Sequence, residues 1–408
     1  MSKDIGQRQV HHYYFKDGLM DFMAGWILGN TQLGGLSVGE VYDSFNRIKN
    51  GDPASWVDAF EANMRYQQKM VDERLEDGDD KGAAMKLLAL SQASRAAASF
   101  CDPQSQRAKH IMATMETSFQ QYNKLAGNSL VDHTFGYKGK KLPGYVTVPL
   151  KTDVPLMLII GGGDSFREDL YFFGGKNAIS HGYNVVMVDL PGQGKTPYQG
   201  LHFGQGTIDA ISDVIDQVQA MGHRGKIVVM AYSGGGYFAC KSIEAEKRID
   251  ALIASTPVVN MKEVVLEAIP SLLAADMTSF LSRASMRLLT AFNKPSNIAF
   301  KKYAWQFGPN GIVDFLAAMD ITKPVNTEKI TIPVLGIVGL SEDAVSERQA
   351  KVIVTSASKR FPESRLVTFP RESGADAHCQ VNNLAWGQHF MFGWLEEIKI
   401  APKQDNEF

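Results

Sequence analysis

The sequence predicts an α/β protein with a mainly parallel sheet, and three observations carry that expectation. After about residue 130, short β-branched runs alternate with helical stretches, which is the texture of βαβ units. One apolar run, Ile227 to Ala231, passes straight into a glycine-rich turn and then a helical segment. The chain ahead of residue 130 reads instead as helices alone.

Those helices occupy residues 53 to 126. Pro53 suits a first helical turn, and Trp56, Phe60, Met64 and Met70 follow near helical spacing before Gly78. A second run after Asp80 carries Leu87, Leu88, Leu90 and Ala97, and a third is expected to start at Asp102-Pro103, an N-cap followed by proline. With no glycine-rich loop and no paired catalytic residues, residues 1–130 are expected to form a helical N-terminal domain serving as scaffold or assembly surface.

The core is expected over residues 131–400, with strands at Tyr145 to Val148, Leu156 to Ile160, Val185 to Asp189, Ile227 to Ala231, Ala251 to Ser255, Val334 to Val338 and Arg365 to Phe369. The stretch from Thr256 to Pro333 is too long for a structureless loop in a compact domain. It predicts a helical lid insertion at about residues 258–330. Its Met277, Phe280, Met286, Phe292, Phe300, Trp305, Phe307 and Phe315 suit either an adaptable apolar pocket or the insertion's own core.

Composition narrows the function classes. The 408 residues are 44% hydrophobic and 21% charged, with a net charge of -2, so disorder, collagen and a membrane bundle are excluded. There is no polybasic surface from which to argue nucleic-acid or membrane binding, and a small apolar or aromatic molecule is the expected partner. A homodimer is left open. The three cysteines, Cys101, Cys240 and Cys379, fit neither a disulfide framework nor a metal site, and no apolar run backs the charged N-terminus. A reducing, cytoplasmic setting without cofactor or metal is the expectation.

The chemistry concentrates in Ala231-Tyr232-Ser233-Gly234-Gly235-Gly236, where strand, tight turn and helix meet as a nucleophile elbow. Ala231 stands where G-x-S-x-G has its first glycine. A serine hydroxyl needs a base and an orienting acid, in the order Ser, acid, His. Of the two histidines beyond Ser233, His378 lies in a loop after the last strand, whereas His389 falls in a C-terminal helix where packing suits it better. The acid follows the strand Val334 to Val338; Asp343 is chosen, with Glu342 as the alternative. Oxyanion donors are expected from Gly234 and from the loop Gly161-Gly162-Gly163-Asp164-Ser165, at Gly163 and Asp164. Gly192-Gln193-Gly194-Lys195-Thr196 ends like a phosphate loop, but Asp189 occupies the position of its first glycine, so no nucleotide is implied.

Asp189-Leu190-Pro191-Gly192-Gln193-Gly194, Gly162-Gly163-Asp164-Ser165 with Glu168-Asp169, the elbow, and Gly374-Ala375 before His378-Cys379 resemble the α/β-hydrolase superfamily over about residues 140–400. Over nearly the whole chain they resemble its branch with a helical N-terminal domain, which includes fermentation-respiration switch esterase-like proteins, dihydroxypseudooxynicotine hydrolase and polyketide-shortening pigment hydrolases. The resemblance implies an α/β-hydrolase fold and a Ser-acid-His enzyme whose site lies between core and N-terminal helices. It further implies a bulky aromatic or polyketide-like substrate, cleaved at a carbon–carbon bond next to a ketone in retro-Claisen fashion. A carboxylesterase or thioesterase is the alternative, and a non-catalytic binding or regulatory protein the second. The N-terminal helices and the insertion are expected to close together over Ser233.

Overall fold

The computed structural model describes residues 8–127, 129–268 and 293–402. Five helices come first: α1 (Gly18–Asn30), α2 (Val38–Phe45), α3 (Pro53–Glu76), α4 (Asp80–Ala98) and α5 (Gln106–Leu125). Asp52 caps α3 by accepting from the Ala54 amide, with Pro53 in the first turn where a missing N–H costs nothing. The third expected helix begins later than Asp102-Pro103. The Asp102 carboxylate accepts from the Gln104 amide in a turn, and Ser105 takes the cap by accepting from Ala108.

On α4, Ala89, Ala93, Ala96 and Ala97 are all buried, and small side chains allow neighbouring helices a close approach. Trp56 is wholly buried, and its indole N–H donates to the Ala96 carbonyl at 2.8 Å. Burying a side chain of this size stabilises by roughly 1.5–3 kcal/mol, provided that the N–H finds a partner, as it does here.

The sheet has eight strands: β1 (Leu130–Tyr137), β2 (Lys140–Thr147), β3 (Leu156–Ile160), β4 (Asn184–Val188), β5 (Ile227–Tyr232), β6 (Ala251–Ser255), β7 (Val334–Gly339) and β8 (Arg365–Phe369). Their order is β1-β2-β4-β3-β5-β6-β7-β8. The pairs β1–β2 and β2–β4 are antiparallel, and every other neighbouring pair is parallel. All residues of β3 to β7 are buried, as an unbroken apolar run requires when helices cover both faces.

The unexpected strand is β1, an edge strand with exposed Asp132 and Thr134, folded back through Lys138-Gly139 with φ of 48° and 75°. Two positive-φ residues are the geometry of a tight hairpin turn.

The core helices are α6 (Lys176–Ser180), α7 (Gln205–Ala220) and α8 (Gly234–Ser242). Within the insertion, α9 (Met261–Ala268), α10 (Lys294–Phe307) and α11 (Ile312–Ile321) are described. Met277, Phe280, Met286 and Phe292 lie outside the described residues. After β7 come α12 (Ala344–Ser358) and α13 (Leu384–Glu397). Among the described residues, no helix is long and apolar enough to cross a membrane.

Candidate active site

β5 delivers Ser233 to the first turn of α8 with φ 54° and ψ -130°, a backbone region that non-glycine residues rarely occupy. The Ser233 amide is held by the Ser255 carbonyl at 2.7 Å. The glycines that follow are obligatory on spatial grounds. A Cβ on Gly235 would stand 2.3 Å from the Gly161 carbonyl oxygen, and one on Gly236 would stand 2.2 Å from that of Thr256. Ala231, the departure from the usual elbow pattern, is fully buried in the strand.

His378 is brought to Ser233 by the loop after β8, its Nε2 lying 2.9 Å from Ser233 Oγ. Its Nδ1 lies 2.5 Å from Glu342 Oε2. Because a carboxylate can only accept, Nδ1 carries the proton and Nε2 is free to take one from the serine. The carboxylate at His378 is therefore Glu342 and not Asp343. β7 ends at Gly339, and the Glu342 amide folds back to the Gly339 carbonyl, which aims Glu342 inward. Asp343 is carried past the site to the N-cap position of α12. Glu342 is steadied by the Thr256 hydroxyl at 2.7 Å and by the Gly339 amide at 3.1 Å.

Burial works against a charged imidazole at His378, but Cys379 and Glu342 outweigh it and raise its pKa above the ordinary 6.5. His389, by contrast, stacks on Trp386 in α13, 5.2 Å between ring centres.

The loop after β3 passes directly against the serine. Gly162 makes the closest approach, since a Cβ there would lie 2.5 Å from that of Ser233 and 3.1 Å from the Gly234 nitrogen. Gly163 gives its carbonyl to Gln306 of α10 at 2.8 Å, and Asp164 lines the chamber with Ser233. The phosphate-loop look-alike braces this loop from behind: Gln193 donates its side-chain amide to the Gly161 carbonyl, and its own Oε1 accepts from the Leu190 amide.

The chamber takes its other walls from Phe22 and Trp26 of α1, Phe173, Tyr232 and Arg8. Of these, Tyr232 belongs to the elbow motif, while Arg8, Phe22, Trp26 and Phe173 carry no sequence motif. The Phe22 ring is 6.5 Å from that of His378, and Trp26 stacks on Phe173 at 5.4 Å. The insertion lies beside these walls, with Tyr303 packed against Gly163 and bonded to Arg8, and Met261 near Gly234. Among the described residues, no cluster of His, Cys, Asp or Glu suits a metal ion.

Comparison with known proteins agrees with this architecture. The family described as serine aminopeptidase, S33 matches residues 175–371, which include Ser233 and Glu342 but stop short of His378. The chain is 27% identical to the 20-hydroxy-prefusarin hydrolase FUS2 of Gibberella moniliformis, over 97% of this chain and 99% of that protein. It is 25% identical to hydrolase LUC6 of a Fusarium species, over 95% and 98%. Among solved structures, 2,6-dihydroxy-pseudo-oxynicotine hydrolase superposes with a TM-score of 0.63 at 18% identity, covering 93% of this chain and 99% of that one. At that identity the likeness concerns the fold alone.

Proposed function

Since the chain has the α/β-hydrolase fold with a helical N-terminal region, and is a hydrolase related to fungal polyketide hydrolases, we propose that it acts through a Ser233–His378–Glu342 triad. The observation that carries this reading is the unbroken relay from Ser233 Oγ to His378 Nε2 and from His378 Nδ1 to Glu342. Ser233 attacks the substrate carbonyl while His378 takes its proton, and Glu342 holds the imidazole in the correct tautomer. Gly234, at the start of α8, offers its amide to the developing oxyanion, and the Gly163-Asp164 loop offers the second donor.

The substrate in this reading is bulky and largely apolar, polyketide-like or aromatic, and is cut at a carbon–carbon bond next to a ketone. The aromatic walls formed by Phe22, Trp26, Phe173 and Tyr232 support the apolar part. The relative named as a 20-hydroxy-prefusarin hydrolase supports the polyketide part.

A fluorophosphonate probe, simple esters and an aromatic β-diketone, each given to wild type and Ser233→Ala, test the reading. Labelling of wild type alone and cleavage of the diketone into an acid and a ketone, identified by mass, are expected. Turnover of simple esters alone would replace carbon–carbon cleavage with esterase action. Full activity in Ser233→Ala would overturn the mechanism.

A further inference from the structure

A charged cluster sits on the wall of the otherwise aromatic chamber. Asp164 receives Arg8 Nη1 at 2.7 Å, Lys302 Nζ at 2.7 Å and the Tyr303 hydroxyl, while Arg8 Nη2 lies 3.0 Å from the Tyr303 oxygen. Two cations thus share one carboxylate. Burial opposes the charge on Asp164, yet Lys302 and Arg8 outweigh it and hold its pKa below the usual carboxylate range, so the acid stays ionised. The neighbouring charges offer no compensation. Arg95 is paired with Asp169 at 2.9 Å, and Glu342 is committed to His378. Among the described residues, the cluster therefore holds one more positive charge than negative, and Arg8 is the cation that lines the chamber together with Ser233.

We infer that Arg8 is the binding point for an anionic oxygen of the substrate: the oxygen of an ionised 1,3-dicarbonyl, or of the enolate released when such a compound is cleaved. The inference rests on the proposed triad for its chemistry but not for its binding. In the cleavage step, the tetrahedral intermediate on Ser233 re-forms its carbonyl and expels the carbon–carbon bonding pair as an enolate. The Arg8 guanidinium neutralises the enolate oxygen, and protonated His378 returns the serine proton to its carbon. Water, activated by the now neutral His378, then releases the acyl group as an acid. With the Arg8 side chain 28% exposed, this cation is partly shielded from water, and neutralising a nascent anion there is worth more than on the open surface.

Dimedone, a cyclic 1,3-diketone ionised at neutral pH, and 3,3-dimethylcyclohexanone, its uncharged relative, are the probes. Their affinities are measured by calorimetry on Ser233→Ala and on Ser233→Ala/Arg8→Gln. Dimedone is expected to bind more tightly than the ketone by about tenfold or more, and the preference is expected to collapse in the Arg8→Gln protein. If that protein fails to fold, the same collapse is sought in Ser233→Ala as the pH falls through the ionisation of dimedone. Equal affinities, or a preference that survives both changes, would overturn the inference. Neither measurement involves turnover, so a failure of the serine mechanism shows separately, in the absence of fluorophosphonate labelling of wild type.

Discussion

The two walls of the chamber are built on different principles. On the core side, Ser233, Glu342 and His378 all follow the carboxyl ends of parallel strands, with Ser233 held by Ser255, and Glu342 by Gly339 and Thr256. On the cover side, Arg8, Phe22, Trp26 and Tyr303 come from three separate stretches, the N-terminal segment, α1 and the insertion, with Arg8 bonded to Tyr303 and lying over Phe22. Under the proposed mechanism, the difference separates rate from selection. A loss on the core side should slow every substrate, whereas a loss on the cover side should alter which substrates are preferred, or how firmly the cover is docked.

The strongest way to break that separation lies at the acid. Glu342→Gln is expected to lower kcat by roughly 10³–10⁴ on any substrate, the cost of the wrong imidazole tautomer. Asp343→Asn, beside it, should leave kcat within about threefold, as expected of a group remote from the reacting atoms. Equal losses in steady-state assays of the two variants would return the orienting role to Asp343.

Docking of the cover comes next. Arg95 of α4 pairs with Asp169 at 2.9 Å, both nearly inaccessible, and its guanidinium lies 3.6 Å from the Trp26 ring centre. Removing one partner of a buried pair leaves an uncompensated charge, so Arg95→Met should destabilise by about 3–5 kcal/mol. Arg95→Met with Asp169→Leu should recover much of that loss. Urea midpoints measure both, and a double variant as unstable as the single one would mean that packing on Trp26 matters more than the ion pair.

The pH profile sharpens the core side. The free base must be neutral to accept the serine proton, so kcat/KM rises with pH through the His378 pKa. Since Cys379 and Glu342 outweigh burial and raise that pKa, the rising limb should lie above 6.5. In Glu342→Gln the residual activity should rise at lower pH, by about 1 unit or more, because an adjacent anion has been removed. A limb at the same pH in both proteins would deny the coupling.

The smallest expected effect is at Phe22, whose ring lies beneath the Arg8 guanidinium at 5.4 Å. Phe22→Leu should raise KM for a bulky ketone by about 3- to 10-fold with kcat nearly unchanged. A fall in kcat alone would place Phe22 on the rate-setting side.

The same division explains what could be read from the sequence. Strands β3, β6 and β8 fall at the expected residues; for β3 and β6 this is because buried parallel strands appear as continuous apolar runs between turn residues. The edge strand β1 gives no such run, since Asp132, His133 and Thr134 interrupt it and its pairing depends on a two-residue turn. The elbow and His378 stood out because their chemistry is compressed into a few adjacent residues. Glu342 and Asp343 differ by one position at the end of β7, and only the backbone turn decides which carboxylate points inward. Gly162 was overshadowed by its glycine neighbours, although it is the one pressed against Ser233. Arg8, Phe22 and Trp26 left no local signal, because their place in the chamber is fixed by contacts spanning much of the chain.

One contact bears on how the protein is handled. The His378 amide donates to the Arg8 carbonyl at 2.8 Å, and His11 reaches the Arg371 carbonyl at 3.0 Å, so the leading segment runs as a backbone splint along the loop that carries the histidine. A purification tag joined ahead of Arg8, or a protease that trims to Phe15, acts on that splint. Preparations tagged at opposite ends should therefore differ in specific activity even when equally pure and equally folded, and the C-terminal tag is the better choice for kinetic work.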